Sequence, residues 1–319
     1  MNQSTPYQIV ADIGGTNARF ACVDAGSDSL RDVRILRGAD YDSLEAATRA
    51  YMQTLGAAPL PQRICFAIAG AVDQDRIYVT NRGWVFQQSV MAQSLQVPLL
   101  FINDFTAQVH AIATMKAHEL IWLDDKRPSG KHVYAAVGPG TGLGVGGMTA
   151  AGVAIPSEGG HMGFAPQNPH QVELLKLFWH HNPRVEVETI LSGNGLARLY
   201  WANSMIHGKE AKLAPEAITQ GARDGDQLCR QTIVDFMDIL AATASDAAMI
   251  LCAVDGVYIC GGIVPRLKGL YDPQRFRERF NAKGPYREFC SRIPLAIVEA
   301  ADTGLRGCWR ALSLSNPSA

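Results

Sequence analysis

Short apolar runs alternate with longer amphipathic stretches through the first third of the chain. Tyr7–Ile13 and Ala18–Asp24 flank a glycine-rich segment, which predicts a β-hairpin. Ser43–Leu55 repeats apolar residues at helical spacing behind a serine that can cap the helix. Leu99–Asn103 is a short apolar strand that runs directly into a helix beginning at Asp104. This alternation predicts an α/β fold.

The second half begins with a similar hairpin pattern. Val133–Val137 is an apolar strand, Gly138-Pro139-Gly140-Thr141-Gly142 is a glycine-rich turn, and Leu143–Met148 is a second strand. Two such hairpins suggest an internal structural duplication. Helices and strands are predicted afterwards at Val172–His180, Thr189–Met205, Pro215–Ala222, Asp226–Val254, Gly256–Cys260, Pro265–Gly269, Leu295–Val298 and Thr303–Leu314.

Composition limits the classes of partner. Hydrophobic residues make up 47% of the 319-residue chain, and the formal net charge is −1, so neither nucleic acid nor an anionic membrane is expected to bind. The polar start lacks a signal-peptide pattern, and no apolar run reaches the roughly 20 residues that span a bilayer. Seven scattered cysteines without a CxxC pair predict buried free thiols. We expect a cytoplasmic protein that acts on small molecules.

The first glycine turn, Asp12-Ile13-Gly14-Gly15-Thr16, is the strongest candidate for chemistry. Consecutive glycines let backbone N–H groups approach a phosphate, and Thr16 adds a hydroxyl donor. We take the flanking Ala11 and Ile13 as part of this nucleotide site. The alternative is a plain hairpin in which the glycines serve only the turn.

Asp12 needs a separate explanation because a carboxylate beside phosphates is repelled. A Mg²⁺ ion between them, reached most simply through a bound water, removes the conflict. Arg19 is a reserve candidate for stabilising charge on the phosphates.

Two other nucleotide motifs are disfavoured. The Walker pattern GxxxxGK[ST] is absent. The formal GxGxxG at Gly142–Gly147 lies inside a predicted strand rather than opening a helix, so it does not indicate a dinucleotide site.

The strand end at Asn103-Asp104 is the candidate acceptor site. Ligands of α/β proteins bind at the carboxyl ends of strands, and Asp104 can accept a proton from an attacking hydroxyl. The alternative is that Asp104 only caps the following helix.

Polar residues among glycines form a second candidate contact surface. Glu158 and His161, in Ser157-Glu158-Gly159-Gly160-His161, suit the hydroxyls of a polyol, although they could instead be a surface pair. Glu188 could be a third sugar contact or simply an acidic residue in the first turn of a helix.

Five stretches in order together resemble the bacterial glucokinase family. They are Asp12-Ile13-Gly14-Gly15-Thr16-Asn17-Ala18-Arg19, Asn103-Asp104-Phe105, Ser157-Glu158-Gly159-Gly160-His161, Glu188-Thr189-Ile190-Leu191-Ser192-Gly193 and Gly261-Gly262-Ile263-Val264-Pro265. The resemblance implies the actin-like ATPase (ribonuclease H-like) fold, with two lobes and a cleft between them. It places residues 1–112 plus 301–319 in a small α/β lobe and residues 113–300 in a large α/β lobe.

The resemblance also implies a role for each matched position. Asp104 becomes the general base at the sugar's 6-hydroxyl, and Asp12 helps to place Mg²⁺. Gly14, Gly15 and Thr16 hold the transferring phosphate, Gly138, Gly140 and Thr141 form a second phosphate turn, and Gly261 and Gly262 lie near adenosine. The sugar contacts are Asn103, Glu158, His161 and Glu188, with Gly70 and Asn81 carried over from weaker matches.

The implied activity is ATP-dependent phosphorylation of glucose at its 6-hydroxyl, the first step of glycolysis, by a homodimer. A related group of sugar kinases and repressors has a cysteine-rich zinc motif after its histidine, but Met162-Gly163-Phe164 follows His161 here, which favours the zinc-free branch. The alternatives are a kinase for another hexose, such as mannose or fructose, and a non-catalytic ATP-binding sugar sensor.

Overall fold

The computed structural model describes residues 5–56, 59–79 and 82–315. The strands are β1 Tyr7–Ile13, β2 Asn17–Asp24, β3 Arg31–Arg37, β4 Ile64–Ile68, β5 Arg76–Tyr78, β6 Val85–Gln87, β7 Leu99–Asn103, β8 Leu120–Trp122, β9 Tyr134–Pro139, β10 Leu143–Met148, β11 Ala154–Ile155, β12 Val257–Ile259 and β13 Leu295–Val298.

Helices follow the strands in alternation. They are α1 Leu44–Thr54, α2 Gln88–Leu95, α3 Asp104–Ile112, α4 Pro169–Trp179, α5 Val187–Ile190, α6 Gly193–Ile206, α7 Pro215–Arg223, α8 Gln227–Leu251, α9 Ile263–Arg266, α10 Pro273–Asn281, α11 Arg287–Arg292 and α12 Thr303–Leu314.

The chain divides into two compact units. The first contains the residues up to Met115 together with those from Ala300 onwards, and the second contains Lys116–Glu299.

The sheet of the first unit has the strand order β3-β2-β1-β4-β7. β1 is antiparallel to β2, and β1, β4 and β7 are parallel to one another. Alternate side chains of β1 point to opposite faces: Ile9 lies in the cluster that includes Tyr51 of α1, whereas Val10 lies in the cluster that includes Leu305 of α12. Asp12 shares the parity of Val10, so its carboxylate faces α12.

The sheet of the second unit follows the same plan. Its order is β11-β10-β9-β12-β13, with β8 added at the edge next to β13. β9 and β10 form an antiparallel hairpin, and β9, β12 and β13 are parallel. The repeated order and directions support the structural duplication that the two glycine hairpins suggested. The long helix α8 packs against β9 and contributes the buried Phe236 and Leu240 to the core.

Among the sequence-based boundaries that were wrong, three bear on the candidate site. The stretch predicted as one helix over Thr189–Met205 is broken at Leu191-Ser192, because Ser192 leaves the helical conformation and caps α6 through Gly195 N–H. Gly138 and Pro139 belong to β9 rather than to the turn, so the second glycine turn is Gly140–Gly142. The helix predicted at Pro265–Gly269 is the short α9 instead.

The cysteines are unpaired thiols, all buried except the exposed Cys252. The prediction of buried free thiols was therefore right for six positions and wrong for Cys252, which ends α8 in a left-handed conformation. Within the described ranges, no helix combines the length and apolar character needed to cross a bilayer.

Candidate active site

The first glycine turn joins β1 to β2 and is held by backbone hydrogen bonds. Gly14 N–H donates to Asn17 O at 3.0 Å, and Gly38 N–H donates to Thr16 O at 3.0 Å. Arg82 adds a side-chain contact, since its Nε donates to Gly14 O at 2.9 Å. A cation therefore lies at the turn that the sequence assigned to phosphate.

Arg82 was not predicted as a site residue. Its guanidinium lies 4.5 Å from the centre of the Trp84 ring and fills the space that a side chain at Gly38 would occupy. Both Nη atoms are buried without a hydrogen-bond partner among the described residues, and burial lowers the pKa of this group. Arg82 thus places positive charge beside a turn with phosphate-binding character, which suits an anionic ligand.

The carboxyl group of Asp12 is strongly perturbed by its surroundings. Burial raises its pKa to about 6; Arg19 opposes this shift, while Asp104 and Asp302 add to it. The first turn of α12 closes over the carboxylate, because a Cβ on Gly304 would come within 2.5 Å of its Cγ.

The Arg19 side chain is paired with a carboxylate. Its Nη1 lies 2.7 Å from Oδ1 of Asp302, which has a positive φ of 56° just before α12. Arg19, which the sequence suggested for stabilising phosphate charge, thus forms an ion pair with Asp302. Asp302 was missed because its partner lies 283 residues away in the chain.

The residues at Asp12 fit a single-carboxylate Mg²⁺ site. A hard carboxylate oxygen lies close to two further carboxylates, Asp104 and Asp302, so a divalent cation would relieve the local negative charge. Among the described residues, no three His, Cys, Asp or Glu side chains form a metal cage. A bound ion would therefore take its remaining ligands from nucleotide phosphates and water.

Asn103, rather than Asp104, is the cap of α3. Its Oδ1 accepts from Phe105 N at 2.9 Å and from Thr106 N at 3.2 Å, and its Nδ2 donates to Gly70 O at 3.3 Å. Asp104 is the first helical residue, and its Oδ1 accepts from Phe105 N at 2.8 Å. The alternative of Asp104 as the cap is therefore not what the structure shows.

Other predicted positions of the first unit have simpler surroundings. Gly70 has a φ of 137°, which a side chain would strain, and it adjoins Asn103. Ala11 and Ile13 are fully buried in the core, so their side chains cannot contact a nucleotide. Asn81 lies outside the described residues.

The second glycine turn is fastened by two distant glycines of its own unit. Gly193 N–H donates to Gly140 O at 2.8 Å, which links the start of α6 to the turn that contains Thr141. Gly261 has a φ of 84°, and a Cβ there would come within 2.4 Å of Pro139 O. The structure therefore brings the second turn and the Gly261-Gly262 motif together, while Gly138 pairs with Gly144 inside the sheet.

A cavity of about 450 Å³ lies next to these glycines. It is bounded by the start of α6, by α7 and by the region that follows Gly262; its lining includes Gly193, Leu196, Thr219, Arg223, Ile263 and Leu267. The volume is within the range of small-ligand pockets.

The loop that contains Glu158 and His161 is packed on β10 by its glycines. A Cβ on Gly160 would come within 2.1 Å of Leu143 O, and one on Gly159 within 2.8 Å of the Val145 Cβ. Larger residues would push the loop off the strand. The Glu158 side chain is 84% exposed, as suits a ligand contact.

His161 contacts a residue that the sequence analysis missed. Its Nδ1 lies 2.7 Å from Oε2 of Glu186, whereas its Nε2 is 4.0 Å from Oε2 of Glu158. The Glu186 hydrogen bond raises the pKa of His161, burial lowers it, and the charges of Glu188, Glu186 and Glu158 raise it further. The sequence could have indicated Glu186, because it lies two residues before Glu188, which was predicted as a site residue.

Glu188 connects the start of α5 to the second glycine turn. Its Oε2 accepts from Leu143 N at 2.7 Å, and a Cβ on Gly142 would come within 2.4 Å of the same oxygen. The structure thus brings Glu158, His161 and Glu188 together with the turn in the second unit, and it groups Asn103, Asp104 and Gly70 in the first.

Comparisons with known proteins identify the family of this chain. The Glucokinase family profile matches residues 9–314. A glucokinase of Chromohalobacter salexigens is 40% identical over 95% of this chain and 97% of its own, and one of Neisseria meningitidis serogroup B is 37% identical over 98% and 96%.

Solved structures extend the likeness to three dimensions. A glucokinase from an Antarctic psychrotroph is 33% identical, with a TM-score of 0.89 over 98% of this chain and 100% of its own. A ROK family glucokinase from Streptomyces griseus, at 17% identity, shares the fold alone, with a TM-score of 0.63 over 95% and 97% of the two chains. The predicted α/β, actin-like ATPase fold is confirmed. On the strength of the profile match and these relatives, the chain belongs to the glucokinase family.

Proposed function

We propose that this protein transfers the γ-phosphoryl group of ATP to the 6-hydroxyl of D-glucose, giving glucose 6-phosphate and ADP. The observation that carries the proposal is the Asn103-Asp104 pair at the end of β7. Asn103 takes the capping position of α3, and the neighbouring Asp104 carboxylate lies in the first turn of the helix. An ionised carboxylate at this position can act as a general base.

The donor nucleotide would be bound through backbone groups. Gly14, Gly15 and Thr16 would hold the transferring phosphate, with Arg82 beside them, and the Gly140–Gly142 turn would hold a second phosphate. The cavity next to Gly262 would take the adenosine. The Streptomyces griseus structure was determined with AMPPNP and glucose, which is consistent with ATP as the donor of this family.

Bound Mg²⁺ would neutralise phosphate charge and orient the transferring group. Asp12 would hold the ion, most simply through water, and its buried carboxylate would regain a counter-charge. The Arg19–Asp302 pair would keep the neighbouring charges in place.

The sugar would be bound by groups that each match a hydroxyl. Asn103, Glu158, His161 and Glu188 would hold the hydroxyls that do not react, and Asp104 would accept the proton of the 6-hydroxyl as the new O–P bond forms. Gly70 would support Asn103 from behind. Asn81 stays a prediction from the resemblance.

The cellular setting belongs to the same proposal. Glucose 6-phosphate formation is the entry step of glycolysis, and the buried free thiols fit a reducing cytoplasm. The homodimer stays a prediction, which light scattering coupled to gel filtration would measure.

The proposal is tested by a coupled ATP-turnover assay of the purified protein with glucose, mannose, fructose and galactose. We expect glucose-dependent turnover with the highest kcat/KM. A higher kcat/KM for mannose or fructose would make the protein a kinase for that hexose. Sugar binding without turnover on any hexose would instead indicate a non-catalytic sugar sensor.

A further inference from the structure

The second unit contains a compact cluster of charged side chains around His161. Its members come from two segments that pair like short strands: Phe164 N–H donates to Val185 O at 2.9 Å, and Val187 N–H donates to Met162 O at 2.9 Å. Between these bonds, Gly163 and Glu186 form an antiparallel β-bridge. The backbone therefore fixes the spacing of the two segments.

Glu186 is the residue at that bridge, and it is fixed from several sides. Its Oε1 lies 3.4 Å from Arg184 Nε, and Nη2 of the same arginine donates to His161 O at 2.9 Å. Glu186 is also the N-cap of α5, where it shares a capping box with Thr189. Its Oε2 is left directed at His161 Nδ1, 2.7 Å away.

This contact decides which ring nitrogen carries the proton. A carboxylate only accepts hydrogen bonds, so the Nδ1 of His161 must be the donor to Glu186. In the neutral imidazole Nε2 is then the acceptor. Nε2 has no competing bond to Glu158, since 4.0 Å is beyond hydrogen-bond range.

We propose that Glu186 is a positioning residue that holds His161 with its proton on Nδ1 and thereby presents Nε2 to a sugar hydroxyl. The sugar part of this inference rests on the proposed function. When the imidazole is neutral, its Nε2 can accept a hydrogen bond from a sugar hydroxyl. When the imidazole is protonated, its Nε2–H can donate a hydrogen bond to the hydroxyl oxygen. An unfixed ring would divide its population between tautomers and orientations, which weakens sugar binding.

The charges of three carboxylates, Glu158, Glu186 and Glu188, act on the ring, and Arg184 forms an ion pair with Glu186. The carboxylates raise the pKa of His161 above its ordinary value, so glucose affinity should depend on the protonation state of the ring. Removing the charge of Glu186 should move the dependence to lower pH, because the protonated ring loses its nearest counter-charge.

The direct test is ¹⁵N NMR of the histidine rings, with His161 assigned by its loss in His161→Asn. In the wild type we expect a proton on Nδ1 and a pKa above the ordinary value. Glu186→Gln keeps an acceptor oxygen, so it should retain the tautomer but lower the pKa. Glu186→Ala should release the tautomer as well. Glu173→Gln, which removes an exposed carboxylate paired with Lys176, is the matched control and should change neither quantity.

Kinetics supply the second measurement. Glu186→Ala should raise the KM for glucose about tenfold, the equivalent of one good hydrogen bond, while the KM for ATP stays unchanged. Glu186→Gln should shift the pH profile of kcat/KM for glucose downwards. An unchanged tautomer in Glu186→Ala, or an equal rise in both KM values, would overturn the inference. The NMR measurement does not require turnover. If the wild type failed to phosphorylate glucose, the proposed function would be refuted, but the NMR result would still show whether Glu186 fixes the His161 tautomer.

Discussion

Gly304 lies directly against the carboxylate of Asp12. A Cβ at position 304 would be 2.5 Å from Asp12 Cγ and 2.6 Å from Oδ2, which is closer than real Cβ contacts allow. The first turn of α12 therefore sets the position of the carboxylate that we assign to Mg²⁺.

Replacing Gly304 by alanine should displace Asp12. We expect Gly304→Ala to raise the Mg²⁺ concentration needed for half-maximal activity and to lower kcat, with a smaller effect on the KM for glucose. The measurement is the initial rate as a function of Mg²⁺ at saturating ATP. Ser313→Ala, at the exposed end of the same helix, is the control and should behave as wild type. Equal Mg²⁺ dependence in the two variants would show that Asp12 tolerates the added methyl group.

The buried, ionised carboxylate of Asp12 should lower the free energy of unfolding of the ligand-free protein. Because its folded-state pKa is raised, the native protein binds more protons than the unfolded chain between about pH 4 and pH 6, so its stability falls as the pH rises through that interval. Asp12→Asn removes this cost and should stabilise the ligand-free protein at pH 7 by at most ~3 kcal/mol.

Denaturant unfolding of both proteins at pH 4 and pH 7 measures this effect. The difference between Asp12→Asn and wild type should shrink at the lower pH, while activity is lost at both values. Asp40→Asn, at an exposed position, should leave stability unchanged. A destabilised Asp12→Asn at pH 7 would mean that Arg19 outweighs the burial of the carboxylate.

Asp104→Asn separates sugar binding from transfer. The amide keeps the size and a hydrogen-bonding oxygen but cannot accept the hydroxyl proton, so kcat should fall by a factor on the order of 10² to 10⁴. Glucose binding, measured by titration calorimetry, should change little. Normal turnover in this variant would leave Asp104 as no more than a ligand contact or a residue of the first helical turn.

Gly160 and Gly163, in the loop that contains Glu158 and His161, make a matched pair of test positions. A Cβ on Gly160 would meet Leu143 O at 2.1 Å, whereas one on Gly163 has no neighbouring atom within 4 Å among the described residues. Gly160→Ala should therefore raise the KM for glucose and lower the melting temperature, and Gly163→Ala should do neither. Identical behaviour of the two variants would indicate that the loop shifts without affecting the sugar contacts.

The parts of the fold that sequence predicted well are those that local pattern determines. β1, β7, β10, β13 and α12 have the predicted bounds, because short apolar runs and helical spacing are clear there and, except at β13, glycine, aspartate or threonine lies at an end. The break before α6 was missed because apolar spacing continues through Leu191-Ser192, while the capping bond of Ser192 to Gly195 interrupts the helix.

Site residues with partners distant in the chain were not predictable in this way. Arg82 reaches the carbonyl of Gly14 across 68 residues, and Asp302 reaches Arg19 across 283. Only the folded chain brings these groups together. By contrast, the predicted Glu158, His161 and Glu188 are marked by glycines or by helix-start signals within their own segments.

We propose that the 6-hydroxyl of glucose accepts the phosphoryl group. This proposal is tested most directly by comparing ADP formation with glucose and with 6-deoxyglucose, which lacks only that hydroxyl. We predict rapid ADP formation and glucose 6-phosphate with glucose, and competitive inhibition without sugar phosphorylation by 6-deoxyglucose. Equal rates of sugar phosphorylation with the two compounds would contradict the account.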